Sequence, residues 1–138
     1  MLTLAIIKPD ALAAGSAGKI LAHLEGQGFT VRAARMVRLT TPQAEAFYAV
    51  HRERPFFRSL VTFMTSGPCI PLVLERTDAV TALRAAIGST DPAEAAPGTV
   101  RKLFAQSKEK NAIHASDSPE NAAREVAFFF TEGELAGL

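Results

Sequence analysis

The sequence is poor in cysteine, in charge imbalance and in long apolar runs, and each shortage removes a class of protein. Cys69 is the single cysteine among 138 residues. That excludes an internal disulfide and a cysteine-built metal cluster, and it fits a reducing, cytoplasmic setting. Fifteen Lys and Arg face fourteen Asp and Glu, for a net charge of +1. Such a balance gives no electrostatic footprint for specific nucleic-acid binding, although a local basic pocket can still hold phosphates. No run of about 18 uncharged apolar residues occurs, so no membrane span is expected. The N-terminal residues carry neither a basic stretch nor a long apolar core, and no signal peptide is expected. What is present is ordinary for a folded chain: 48% hydrophobic and 21% charged residues, at a length suited to one domain spanning residues 1–138 with one substantial core.

One stretch concentrates chemistry. Asn111-Ala112-Ile113-His114-Ala115-Ser116-Asp117-Ser118 places a histidine between an apolar pair and small polar residues. Ser118-Pro119-Glu120 then reads as a helix start, with Ser as N-cap and Pro in the first helical position. His114 is therefore expected at the end of a short strand before a helix N-terminus, where free N–H groups and positive dipole favour phosphate. Glu125, on that helix, offers a carboxylate that fixes one ring nitrogen and leaves the other lone pair free. The same residues also read as a capped helix preceded by a buried, hydrogen-bonded histidine.

The chain in order gives a coarse plan. Residues 2–7 form a continuous apolar run ended by Pro9, as expected of a buried strand. Lys8 is a cation at that strand's end, or a solvated lysine. Residues 16–25 carry Ala17, Ile20, Leu21 and Leu24 on one helical face, with Gly26 and Gly28 as stop signals. Residues 29–39 alternate as a strand, with a change of phase near Ala34 that suggests a bulge. Thr40 with Gln43 predicts a capping box opening a helix through Tyr48 and His51. Arg54-Pro55 breaks it, and residues 56–64 form a second short helix. Of Phe56 and Phe57, one ring can pack inward while the other is exposed on the hairpin edge. Residues 69–74 form a third strand that includes Pro71, a residue typical of an edge or bulge. Asp78 is the expected cap of a helix carrying Val80, Leu83 and Ile87, closed by Gly88. Residues 89–110 form a long Pro-, Ala- and Gly-rich loop with one helical piece near 100–104, and long loops in small domains are often functional. A last helix runs from 118 to about 130, followed by a short tail. His23 and His51 have no partner at metal-ligand spacing and read as structural or solvated.

This order fits an α+β sandwich, a ferredoxin-like βαββαβ pattern. An antiparallel sheet has helices packed on one face, with a helical hairpin and a long active-site loop added. The residues also resemble the nucleoside diphosphate kinase family along nearly the whole chain. The likeness runs from Leu4-Ala-Ile-Ile-Lys-Pro-Asp10 through Phe47-Tyr48, Arg54-Pro-Phe-Phe57, Met64-Thr-Ser-Gly-Pro68, Thr90-Asp-Pro92 and Pro97-Gly-Thr-Val-Arg101 to the His114 stretch. The resemblance implies ping-pong transfer of a terminal phosphoryl group from a nucleoside triphosphate to a nucleoside diphosphate through a phosphohistidine. Mg²⁺ would be held mainly by the nucleotide phosphates, and the protein would be a homo-oligomer, tetramer or hexamer. It implies His114 as nucleophile, Glu125 as the carboxylate orienting its ring with Ser116 beside it, and Tyr48 placing a hydroxyl beside the nucleophile. Lys8 and Asn111 would meet ribose and phosphates, Arg84, Thr90 and Arg101 the phosphates, and Phe56 the base. A stacking ring with few base hydrogen bonds would accept purines and pyrimidines alike. The chain departs from the pattern at Ala115 and Lys102-Leu103, where the family usually has Gly and Gly-Asp, and at Pro71. Two other readings of the same residues are a nucleotide-binding module without exchange activity and a histidine-dependent phosphatase.

Overall fold

In the computed structural model, which describes residues 1–137, four strands form one antiparallel sheet. In chain order the elements are β1 (Leu2–Ile7), α1 (Pro9–Ala13), α2 (Ala17–Gly26), β2 (Thr30–Ala34), α3 (Thr41–Phe47), α4 (Phe57–Met64), β3 (Ile70–Glu75), α5 (Ala79–Ile87), α6 (Val100–Phe104), β4 (Ile113–Ala115), α7 (Pro119–Phe129) and α8 (Glu132–Leu135). The sheet order β2-β3-β1-β4 is the ferredoxin-like order. β1, at the centre, pairs with β3 from Leu2↔Glu75 to Ile7↔Ile70 and with β4 from Ala5↔Ala115 to Ile7↔Ile113.

Helices cover both faces of the sheet, not one. Ala5 and Ile7 of β1 meet Ile20 and Leu24 of α2 and Leu83 and Ile87 of α5 on one face. Leu4 and Ile6 meet Phe47 of α3, Val61 and Met64 of α4, and Val126 and Phe129 of α7 on the other. Double coverage explains why β1 is a continuous apolar run: every position from Thr3 to Ile7 is buried, so alternation would gain nothing.

Several local expectations are met and several are corrected. Thr40 and Gln43 form the reciprocal capping box, with Gln43 N–H donating to Thr40 Oγ1 at 3.2 Å and Thr40 N–H to Gln43 Oε1 at 2.9 Å. The following helix ends at Phe47, and Ala49–His51 is a separate 3₁₀ turn. Pro9 ends β1 but also starts α1, in the first-turn position that tolerates its missing N–H. The bulge falls earlier than Ala34: β2 shifts register between Val31 and Ala33, which leaves Arg32 unpaired in the ladder. Asp78 precedes α5 with a left-handed φ of 51° and makes no side-chain cap bond. The short tail contains a one-turn helix, α8, capped by Thr131, whose Oγ1 accepts from Glu134 N–H at 3.1 Å.

Pro71 lies in β3, an interior strand, opposite Ile6. Its carbonyl accepts from Arg35 N–H at 3.2 Å on the β2 side. In an antiparallel ladder a residue's N and O face the same neighbour. The missing N–H therefore faces β2 just beyond Ala34, where that ladder has ended, and no bond to β1 is lost.

Candidate active site

His114 is the middle residue of β4 and faces Ile6 across the ladder. Directly opposed residues share a sheet face. Its ring therefore enters the layer built by α3 and α7, with its centroid 5.3 Å from that of Phe47 and 6.0 Å from that of Tyr48. Ser118 Oγ accepts from Asn121 N–H at 3.0 Å and fixes the start of α7. Two turns on, Glu125 is buried on the same inward face as Ala122, Val126 and Phe129. Its Oε1 lies 2.7 Å from His114 Nε2 and accepts from Ser116 Oγ at 2.9 Å. A carboxylate only accepts, so the proton of neutral imidazole sits on Nε2 and Nδ1 keeps its lone pair. Burial lowers the His114 pKa below its ordinary 6.5, Lys8 and Arg101 push the same way, and Glu125 opposes. The ring is therefore neutral at pH 7. Ala115 causes no strain: it pairs with Ala5 and has no positive φ.

Three cations converge on this ring from separate elements. Lys8, at the end of β1, is buried, and its Nζ donates to Asn111 Oδ1 at 2.8 Å. Burial, reinforced by Arg101, lowers its pKa to about 8. Arg101 follows the Thr99 cap of α6. Its Nη1 donates to the Gly88 carbonyl at 3.0 Å and its Nη2 to the Ile113 carbonyl at 2.8 Å, while its buried Nε has no partner among the described residues. Burial, with Arg84 adding, lowers its pKa to about 10, which leaves it charged at neutral pH. Gly88 ends α5 at φ 88°, and a Cβ there would lie 2.6 Å from Thr99 Oγ1, so the α5–α6 corner needs glycine twice over. Arg84 extends from the last turn of α5 and donates to the Ala115 carbonyl at 3.2 Å.

These groups line a pocket of about 540 Å³. Phe56 is 47% exposed and Phe57 6%, so the two rings divide as the sequence suggests. Asn111 donates to the carbonyls of Thr90 at 3.3 Å and Lys108 at 2.9 Å, which ties the long loop to the strand carrying His114. The Tyr48 hydroxyl is buried without a partner among the described residues, and burial raises its pKa. Of the side chains singled out from sequence, Lys8, Tyr48, Phe56, Arg84, Thr90, Arg101, Asn111, His114 and Glu125 line the pocket. Ser116 does not; it is wholly buried behind Glu125. The pocket also takes in Asp117, Asn121 and Arg124, to which sequence reasoning assigned no role, and His51, whose ring lies 5.4 Å from Phe56. The i, i+4 spacing to Glu125 is the sequence signal for Asn121; Asp117 and Arg124 carry no such signal. A wider depression of about 780 Å³ between α1, Pro68 and Gln106 contains no histidine.

Fold and pocket together define an α+β protein with a half-buried, carboxylate-oriented histidine facing a pocket lined by the cations Lys8, Arg84 and Arg101. The nucleoside diphosphate kinase family model matches residues 2–135. A nucleoside diphosphate kinase of Halorhodospira halophila is 58% identical over 133 residues, covering 96% of this chain and 94% of the relative. One from Chlorobium chlorochromatii is 55% identical, covering 96% and 95%. The solved structure of the Aquifex aeolicus nucleoside diphosphate kinase superposes with a TM-score of 0.94 at 51% identity, covering 96% of each chain. The Halobacterium salinarum nucleoside diphosphate kinase, solved in complex with CDP, gives 0.94 at 36% identity, covering 100% of this chain and 92% of that one. The chain belongs to the nucleoside diphosphate kinase family. It transfers phosphoryl groups between nucleotides, and the phosphohistidine route is characteristic of that family.

Proposed function

We propose that residues 1–138 act as one catalytic domain in which His114 Nδ1 carries the phosphoryl group. The observation that bears most weight is the 2.7 Å contact between His114 Nε2 and Glu125, which leaves Nδ1 as the nucleophilic nitrogen. The Nδ1 lone pair attacks the terminal phosphorus of a triphosphate. The bond from that phosphorus to the bridging oxygen breaks, and its electrons leave with the diphosphate. Nε2 keeps its proton, so the ring becomes cationic against the Glu125 carboxylate. A terminal oxygen of the incoming diphosphate then attacks, and the N–P electrons return to Nδ1. Lys8, Arg84 and Arg101 neutralise the phosphate charge, with Thr90 and Asn111 as further donors. Positioning and charge stabilisation carry most of the catalysis in such transfers. Tyr48 supplies a hydroxyl beside the nucleophile, Ser116 steadies Glu125, and Phe56 stacks on the base and accepts purines and pyrimidines alike.

No cluster of three or more His, Cys, Asp or Glu among the described residues could hold a metal. Asp117 is a single carboxylate at the pocket wall. This donor set fits Mg²⁺ carried by the nucleotide phosphates with Asp117 nearby. When bound, the ion offsets phosphate charge and orients the terminal group. No helix among the described residues is long and apolar enough to cross a membrane. The single cysteine supports a cytoplasmic setting, and family membership supports a tetramer or hexamer, which light scattering distinguishes.

The test is incubation with γ-labelled triphosphate and Mg²⁺. Label on the protein should be lost in acid, survive base and pass to added diphosphate. It should be absent from His114→Ala. Acid-stable label, or label on His114→Ala, would place the nucleophile elsewhere. Release of inorganic phosphate in place of transfer would support a phosphatase.

A further inference from the structure

Asp10, in the first turn of α1, takes no part in the chemistry above. It is buried, its Oδ2 accepts from Ala112 N–H at 3.1 Å, and its Oδ1 has no partner among the described residues. Ala112 is fully buried with a φ of 75°. Ile113 N–H donates to the Asn111 carbonyl at 2.9 Å across it. That is a three-residue γ-turn of the positive-φ kind, which is rare and strained for any residue with a Cβ. Both backbone groups of Ala112 are held by one short piece of chain: its N–H by Asp10 and its carbonyl by Lys8 N–H at 2.9 Å. On either side of the turn sit working groups. Asn111 holds Lys8 Nζ, the Ile113 carbonyl holds Arg101, and His114 follows.

We propose that Asp10 is a positioning residue for phosphoryl exchange: its carboxylate clamps the strained γ-turn at Ala112 and so fixes Asn111 and Lys8 relative to His114. This rests on His114 being the nucleophile. A strained φ persists only where its surroundings enforce it. With the clamp removed, Ala112 can relax to negative φ, which reorients the peptides on both sides of it. A displacement of about 1 Å between phosphate donors and nucleophile lowers turnover by about 10²-fold. The competing role is electrostatic, since the Asp10 carboxylate also faces Lys8.

Three variants separate the two roles. Asp10→Ala removes acceptor and charge, and kcat should fall by about 10²-fold with a smaller change in KM. Asp10→Asn keeps an acceptor for Ala112 N–H and should keep kcat within about threefold of wild type. In Asp10→Ala/Ala112→Gly the positive φ no longer needs enforcement, so most of the lost kcat should return. A charge role does not predict that rescue, and a pure stability role would leave kcat per folded enzyme unchanged in Asp10→Ala to begin with. A wild-type kcat in Asp10→Ala overturns the proposal, as does failure of glycine to rescue a folded double variant. Should Asp10→Ala not fold, Asp10→Asn decides, and a loss of about tenfold or more there overturns the clamp in favour of charge. Wild-type enzyme that takes up no acid-labile label brings down the reading of His114 and this one with it. Labelled wild type with unaffected Asp10→Ala brings down this one alone.

Discussion

Replacing Glu125 by Gln removes a charge while keeping the shape, and the structure sets the size of the effect. The Gln oxygen can occupy the Oε1 position, accepting from His114 Nε2 and Ser116 Oγ as the carboxylate does at 2.7 and 2.9 Å. Packing and tautomer are then kept. What is lost is the gain in the Nε2 hydrogen bond as the ring becomes cationic. Hydrogen bonds to charged groups contribute about 1.5–3 kcal/mol and neutral ones about 0.5–1.5 kcal/mol. The Ser116 bond is present in both ground and transition states and cancels. One bond weakened by about 1–2 kcal/mol lowers kcat/KM by about 5- to 30-fold. A second readout comes from pH. Glu125 raises the His114 pKa against the downward pull of burial. Without the negative charge the imidazole stays neutral to lower pH, so the acid limb of kcat/KM moves down. The assay is a coupled exchange measurement across the acid range for both proteins. Wild-type kcat/KM in Glu125→Gln, or an acid limb moved upward, would refute the role given to this carboxylate. A loss near 10⁴ would mean that the amide has turned its N–H toward Nε2 and forced the opposite tautomer.

Lys8 is expected to set the basic limb. Its pKa is lowered to about 8, so it is protonated below that pH and loses its charge above it. kcat/KM for the free enzyme should therefore fall above about pH 8 in wild type. Lys8→Met should be slow throughout and flat across that range, and an unchanged limb in the variant would assign it to another group. Arg84→Ala and Arg101→Ala should each slow exchange by about 10²–10³, as removal of one preorganised donor does. Only Arg101→Ala should also lower the melting temperature clearly, because Arg101 ties the Gly88 and Ile113 carbonyls. Equal melting temperatures would contradict that distinction. kcat/KM for adenine, guanine and pyrimidine diphosphates should lie within about two decades, the width set by stacking differences of about 1–3 kcal/mol. A much stronger preference would mean base readout beyond Phe56.

What the sequence determined by itself is mostly local. The β1 run, the Thr40–Gln43 capping box, the Ser118 cap and the helical piece at 100–104 rest on neighbouring residues, whose spacing is printed in the chain. The His114–Glu125 pair was legible for the same reason: a cap fixes the phase of α7, and the phase decides which residue looks back at the strand. Features set by competing or distant contacts were not legible. Arg32 rather than Ala34 is bulged because pairing with β3 sets the register. Pro71 sits inside the sheet because β2 ends beside it. Asp78 holds a cap position without capping. Family likeness supplied the remaining site residues, but only the fold gives a physical reason for their meeting. Lys8 reaches Asn111 across 103 positions, and Asp10 reaches Ala112 across 102, because β4 pairs with β1 at the centre of the sheet. The strain at Ala112 and the acid that holds it are invisible in the chain. An alanine carries no mark of positive φ, and a backbone conformation that local preference opposes exists only where tertiary contacts impose it.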